Sequence, residues 1–514
     1  MPEYRNPVLA ADWSDPDVVR VGDDFYLTAS TFNRVPGLPV LHSRDLVHWG
    51  LLGHALPRLV PEAHFALPRH GGGVWAPAVR HHDGRFFIFF PDPDHGIYVV
   101  TATDPAGPWT SPHLLYPGRG LIDPCPFWDD DGRAYLVHGW ALTRAGVNNV
   151  LTMHEMAPDG SRLLGPGRTV VDGREIPGFS VLEGPKMHRR DGWYWIFAPA
   201  GTVPAGWQSV FRSRSVWGPY KERTVLAQGS TAVNGPHQGA WVDAPDGTDW
   251  FLHFQELPPF GRVVHLQPMS WGPDGWPRLG SHAADGTLDG VGEPVAAHGV
   301  PTPDSQGWRG SPIGGSDDWR AGIAPFWYWQ GNPDDAWATT PGDGTLRLLA
   351  PTDDAGNLRQ LAHVLGQRLP ARPCRARVTL ELPDAAVGTR AGLVVLGRRY
   401  SWVGLVRTPF GVEVSAAHGG ESPVEQPLTI PVALDAGTRV ELEATSDGAG
   451  LGLRWRTEGR DWTQAAEGLP LSPGVWVGAD VGLFATAPIG TEPGHATFGR
   501  FAFDVVAGSG GDLG

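Results

Sequence analysis

Two cysteines in 514 residues, Cys125 and Cys374, are too few and too far apart to build a disulfide framework. Positive charge is also short. Forty Lys and Arg face 55 Asp and Glu, a formal net charge of −15. Nucleic-acid binding needs a basic face, so that class is excluded, and polyanionic substrates are disfavoured with it. No stretch of 18 apolar residues occurs, so no membrane-spanning helix is expected. The start, Met1-Pro2-Glu3-Tyr4-Arg5-Asn6, lacks the apolar core of a secretory signal. Together with the thiol count this predicts a cytoplasmic location.

What the chain has in quantity is turn residues and tryptophan. Seventy Gly and 50 Pro separate short apolar runs, which predicts many strands and few helices. A chain of this length should form two or more domains, each with its own core. The 23 Trp offer flat apolar faces with a polar edge, which suit sugar rings as well as sheet cores.

A unit recurs through the first half. Leu182-Glu183-Gly184-Pro185 leads to an Asp191-Gly192 turn and the aromatic run Trp193-Tyr194-Trp195-Ile196-Phe197. Asp123 stands at the same distance before Asp131-Gly132, Trp75 before Asp83-Gly84 and Asp15 before Asp23-Asp24. His237 stands one residue further from Asp246-Gly247. Asp-Gly is a strong hairpin signal, and β-rich repeats of this length predict propeller blades. Five units predict five blades. A residue at one fixed point of each innermost strand should then converge with its equivalents at one mouth of the central channel. From about residue 311 the pattern changes to short alternating strands such as Ala376-Arg377-Val378-Thr379-Leu380-Glu381-Leu382, the mark of a β-sandwich. The fold class is therefore all-β: a five-bladed propeller over residues 1–300 and a sandwich of the jelly-roll kind over 301–506. The Gly-, Ala- and Pro-rich stretch 281–310 is read as the connection, and 507–514 as a flexible tail.

Each convergent residue has an ordinary reading on its own. Asp before Pro is usually a turn residue, and Trp75 and Phe32 alone would be core packing. The shared register shifts the weight. Three carboxyls in one funnel meet the needs of glycoside hydrolysis, where one acid protonates the leaving oxygen and another group activates water or attacks the sugar. A third carboxylate raises the acid's pKa by repulsion. By contrast, the run Asp129-Asp130-Asp131 reads as a solvated hairpin tip, and Cys125 as core packing close to Asp123.

These motifs resemble those of glycoside hydrolase family 43. The resemblance rests on Trp13-Ser14-Asp15-Pro16-Asp17, Val74-Trp75-Ala76-Pro77, Ile122-Asp123-Pro124 and Leu182-Glu183-Gly184-Pro185. It extends to Asn234-Gly235-Pro236-His237-Gln238-Gly239 and Gly261-Arg262-Val263-Val264-His265-Leu266-Gln267-Pro268. Trp327-Tyr328-Trp329-Gln330-Gly331-Asn332-Pro333 and Gly344-Thr345-Leu346-Arg347-Leu348 look like the start of the concanavalin-like sandwich of family β-xylosidases. The resemblance implies an inverting, exo-acting hydrolase that releases xylose or arabinose from the non-reducing ends of oligosaccharides. It implies Asp15 as general base, Asp123 as the group that tunes the acid, and Glu183 as general acid. Trp75 and Phe32 would line the sugar subsite and Arg262 would contact substrate. It implies no organic cofactor. It places His237 beside a calcium ion in the channel, held mostly through water. It implies self-association through the sandwiches, and a sandwich loop closing the mouth, whose closing residue the sequence does not identify. Other specificities of the family, such as galactosidase or arabinanase, remain open. A retaining fructan or sucrose hydrolase is disfavoured by Ser14-Asp15-Pro16, Ile122-Asp123-Pro124 and Glu183-Gly184. A sugar-binding propeller without activity would have lost a carboxylate, and none is lost.

Overall fold

The computed structural model describes residues 2–282, 291–302, 307–353, 356–383, 385–422 and 424–505. The expected tail 507–514 and much of the connection 281–310 lie outside these residues.

Five four-stranded antiparallel sheets follow one another, each a meander whose spatial order is its chain order. Their innermost strands are Asp17–Val21, Ala78–His82, Leu121–Trp128, Lys186–Arg190 and His237–Asp243. Aromatic and β-branched runs such as Arg85–Asp92 and Trp193–Ala200 form second strands that are buried along most of their length. They must be, because each blade is packed between two others. Among the described residues the one α-helix is the single turn Leu142–Ala145, and no helix is long and apolar enough to cross a membrane.

The propeller is closed without sharing a blade between the chain ends. The strand Glu3–Arg5 pairs with Ala297–Gly299. The Asn6 side chain both donates to the Leu266 carbonyl and accepts from its N–H. Leu9 bridges Val264, and the Trp13 N–H donates to the Arg262 carbonyl at 2.8 Å. The first fifteen residues thus run across the seam between blades five and one, and that path brings Asp15 to Arg262.

The second domain is two eight-stranded antiparallel sheets. Alternating burial along Cys374–Glu381 marks one buried face, as its sequence pattern predicts. The two domains share a core. One apolar cluster runs from Trp13, Leu27, Phe260 and Val264 into Trp327, Leu365, Leu393 and Val481. A buried ionic network crosses the same boundary. Arg34 donates to Asp12 Oδ2 at 2.5 Å and to Asp480 Oδ1 at 2.6 Å, and the Tyr328 hydroxyl donates to Asp480. Arg368 lies 3.9 Å over the Trp13 ring and donates to the Asp12 carbonyl at 2.6 Å.

The repeat holds, with a shift in register. Three hairpins have two-residue turns, at Gly22-Asp23, Asp83-Gly84 and Asp191-Gly192, and two have five-residue loops. The first turn sits one residue earlier than Asp23-Asp24. Asp15, Asp123 and Gly184 each stand two residues before a ladder residue, Asp17, Cys125 and Lys186 respectively. All three have left-handed backbone, with φ of 54°, 56° and 58°. Glu183 is therefore one residue N-terminal to the position equivalent to the two aspartates.

One acidic residue departs from expectation. Asp129 is buried, not a solvated tip. It accepts from Arg189 Nη1 at 2.5 Å and from the Tyr194 hydroxyl at 2.6 Å. Its partners come from the next blade, which composition alone does not reveal.

Candidate active site

A pocket of about 500 Å³ opens where the N-terminal ends of the innermost strands meet. Asp15, Phe32, Trp75, Asp123, Glu183 and Arg262 all line it. His237 lies beneath, fully buried, with Nε2 3.8 Å from Glu183 Oε1. The structure thus brings every sequence-predicted site residue to one place.

Backbone geometry does much of the positioning. A non-glycine residue in the left-handed region is strained by about 1–3 kcal/mol, and aspartate tolerates it better than most. At Asp15 and Asp123 the strained residue is the carboxylate itself, turned into the pocket at the start of its strand. In blade four the same backbone position is Gly184, which frees Glu183 to carry the side chain. Glycine is required there twice over, since a Cβ would also meet Gln238 Cγ at 2.4 Å.

The three carboxyls have different surroundings. Asp15 accepts from Ser30 Oγ at 2.5 Å and from Arg262 Nη1 at 3.0 and 3.3 Å, so both its oxygens face donors. Asp123 accepts the Gly184 N–H at 2.8 Å. Burial, with Asp15 repulsion added, pushes Asp123 up to about 7 against the pull of the Gly184 hydrogen bond. Burial raises Glu183 well above the usual carboxylate range. Repulsion from Asp123 and then Asp15 adds to this, and Arg262 opposes it. The same burial lowers His237 to about 3, so it faces Glu183 as a neutral imidazole. One carboxyl is an acceptor for fixed donors, and another holds its proton to higher pH. That is the division of labour acid–base hydrolysis of an acetal requires.

Stacking surfaces surround the carboxyls. Phe32 and Trp75 meet edge to face at 6.1 Å. The Trp75 ring has the Arg144 guanidinium 5.5 Å from its centre, and the Trp476 ring edge-on at 6.3 Å. Trp476 comes from the sandwich, on the loop 471–479 that leads into the strand Asp480–Thr486. It is the closing residue the sequence did not identify. Its loop is held by main-chain contact with the propeller, where the Ala479 N–H donates to the Pro259 carbonyl at 2.8 Å. Gly261 (φ 84°) permits this approach, because a Cβ there would lie 2.4 Å from Asp12 Oδ1 and 2.6 Å from Gly478 N. Trp140, Thr202, Gln238 and Glu256 also line the pocket and were not singled out from sequence. Gln238 stood inside a recognised motif, so a signal existed for it. Trp140 and Glu256 end the second strands of their hairpins, past the aromatic runs, and Thr202 lies on a connecting loop.

Cys125 is fully buried, accepting from Arg80 Nη2 at 3.0 Å and the Met187 N–H at 3.2 Å. Among the described residues no group of three or more His, Cys, Asp or Glu is arranged to hold a metal ion. His237 offers one imidazole; among the described residues neither nitrogen has a partner at full hydrogen-bond geometry, and the Gly201 backbone makes a weaker contact. Calcium prefers oxygen ligands. This donor set therefore fits only a hydrated ion touching His237, and no catalytic step runs through it.

Comparison with known proteins agrees with this geometry. Residues 4–277 match the family described as Glycosyl hydrolases family 43, and residues 316–504 match the Beta xylosidase C-terminal Concanavalin A-like domain. A putative beta-xylosidase of Xylanibacter ruminicola is 37% identical over 94% of this chain and 86% of its own length. A non-reducing end alpha-L-arabinofuranosidase of Bacteroides ovatus is 31% identical over 76% of this chain and 73% of its own. The crystal structure of a xylan beta-1,4-xylosidase from Bacillus halodurans superimposes with a TM-score of 0.85, covering 97% of this chain and 99% of that one. At 24% identity it shows the shared fold. The chain belongs to the glycosyl hydrolases of family 43, and it is a glycoside hydrolase.

Proposed function

We propose that the protein is an exo-acting, inverting glycosidase that releases xylose, arabinose or both from the non-reducing ends of xylo- or arabino-oligosaccharides. The observation that carries this reading is the pairing, in one pocket, of a donor-held Asp15 with a Glu183 raised well above the usual range. The names of the Xylanibacter and Bacteroides relatives support the choice of sugars. The Trp476 roof over the pocket supports removal of terminal units rather than attack within a chain.

In this mechanism the terminal sugar stacks on Trp75 beneath Trp476. Asp15 takes a proton from a water on one face of the anomeric carbon. Glu183 gives its proton to the glycosidic oxygen on the other face. The water oxygen bonds to the anomeric carbon as the bond to the leaving oxygen breaks, so configuration inverts. Once Asp123 ionises, near pH 7, its charge keeps Glu183 protonated to higher pH, and Arg262 holds Asp15 in place. His237, neutral and buried, packs under the acid. Self-association belongs to the same reading. The exposed side chains of Phe410 and Ile430 on the sandwich favour it, and light scattering of the purified protein measures it.

The test is a panel of nitrophenyl β-xyloside, α-arabinofuranoside and β-galactoside, with the first-formed anomer followed by NMR. Cleavage of the pentosides with inverted product is expected. A retained configuration overturns the mechanism, and preference for the galactoside overturns the sugar assignment.

A further inference from the structure

The pocket holds a fourth carboxylate that the chemistry above does not use, Glu256. It ends the strand Asp249–Glu256 and stands directly opposite Arg262 in the antiparallel ladder. Directly opposed residues point to the same sheet face, and so do residues two apart on one strand. Glu256, Arg262 and Phe254 therefore share a face. That face is the pocket wall, since the Arg262 guanidinium lies 4.7 Å over the Phe254 ring and reaches Asp15.

Glu256 is half-buried, and among the described residues its carboxylate has no hydrogen-bond or ion-pair partner. Its cross-strand neighbour is committed elsewhere, because Arg262 pairs with Asp15. A partly desolvated carboxylate without a donor is costly unless a ligand supplies one. A neutral sugar supplies several. One carboxylate can accept two vicinal hydroxyls, and each O–H···O⁻ contact is about twice as strong as a neutral one.

We propose that Glu256 accepts hydrogen bonds from hydroxyls of the terminal sugar, and that it helps decide which sugar the pocket takes. This rests on the hydrolase reading above. It assigns Glu256 to substrate binding, separate from proton transfer.

The test uses the full chain with Glu256→Ala and Glu256→Gln, on aryl pentosides and their monodeoxy analogues. An aryl leaving group carries no sugar hydroxyls, so only the terminal sugar is probed. Glu256→Ala should lower kcat/KM about 10- to 100-fold on the parent glycosides, with Glu256→Gln falling between it and wild type. On each analogue lacking a bound hydroxyl, the gap between wild type and Glu256→Ala should narrow at least about threefold relative to the parent, because that contact is already gone. The melting temperature of the free protein should hold or rise, since the side chain supports no other residue and its carboxylate lacks a donor there. Equal kcat/KM for variants and wild type on the parent glycosides overturns the proposal. An equal penalty on every analogue overturns it as well, because that marks a structural role. A loss confined to disaccharides, with aryl glycosides unaffected, places Glu256 on the leaving sugar and overturns it too. A wild type that cleaves no pentoside fails the reading above instead. The same comparison on the glycoside it does cleave then decides Glu256.

Discussion

At the scale of single residues, the site turns on what burial does to carboxyls. Glu183 is the proton donor in the proposed chemistry, so Glu183→Gln should reduce kcat on glycosides with poor leaving groups by about 10²–10⁴-fold. A strongly activated aryl leaving group needs little protonation and should be much less affected. Steady-state kinetics across a leaving-group series checks this, and a uniform loss would remove Glu183 from that role. Asp123 makes a sharper case. Its folded value is about 7 against an ordinary 3.8. A group that holds its proton more tightly when folded gives its full stabilisation below the unfolded value. That stabilisation is lost as pH rises through the folded one. Wild type should therefore lose stability between pH about 4 and about 7 through this residue. Asp123→Asn keeps an oxygen for the Gly184 N–H and removes the charge. Its melting temperature should exceed that of wild type at pH 8, with the gap closing at pH 4. Its alkaline activity limb should move to lower pH, because the repulsion that keeps Glu183 protonated is gone. A melting difference independent of pH would refute this account. The carboxylates were legible in sequence because each sits in a local backbone motif followed by Pro or by Gly-Pro. Asp129 was misread because Arg189 and Tyr194 lie some sixty residues further on.

At the scale of elements, the strand-turn-strand unit was readable and its register was not. Counting from an Asp-Gly turn assumes that all hairpins are equally long. The first turn sits one residue early, at Gly22-Asp23, and two of the five loops are longer, so equal counts gave unequal ladder positions. The loop 471–479 shows the opposite limit. It carries no recognisable motif, yet it puts Trp476 over Trp75 and Arg262. Trp476 is 47% exposed. Trp476→Ala should therefore leave the melting temperature nearly unchanged while lowering kcat/KM about tenfold, the factor that ~1.4 kcal/mol of lost contact provides. A large fall in stability with normal kinetics would make Trp476 a packing residue only.

At the scale of the whole molecule, the sandwich supplies part of the pocket wall through Trp476. The propeller alone would expose Trp13 and Phe260 and remove Asp480 from the buried Arg34–Asp12–Asp480 network, and breaking such a network is destabilising. Residues 1–310 expressed alone should aggregate, or bind a hydrophobic dye and melt well below the full chain. A soluble propeller with undiminished melting temperature would show that the shared core matters little. The sequence by itself determined the all-β class, the five-fold repeat, the change of domain and the identity of the three carboxyls, because strand periodicity, turn chemistry and X-Pro motifs act over a few residues. Only the tertiary structure decided that Trp476 roofs the pocket, that Asp12 and Arg34 tie that roof to the seam beside Asp15, and that Glu256 lines the pocket with no side-chain partner among the described residues. Those contacts join residues hundreds of positions apart, and burial, which sets both proton affinity and unmet hydrogen bonding, exists only once the chain has closed on itself.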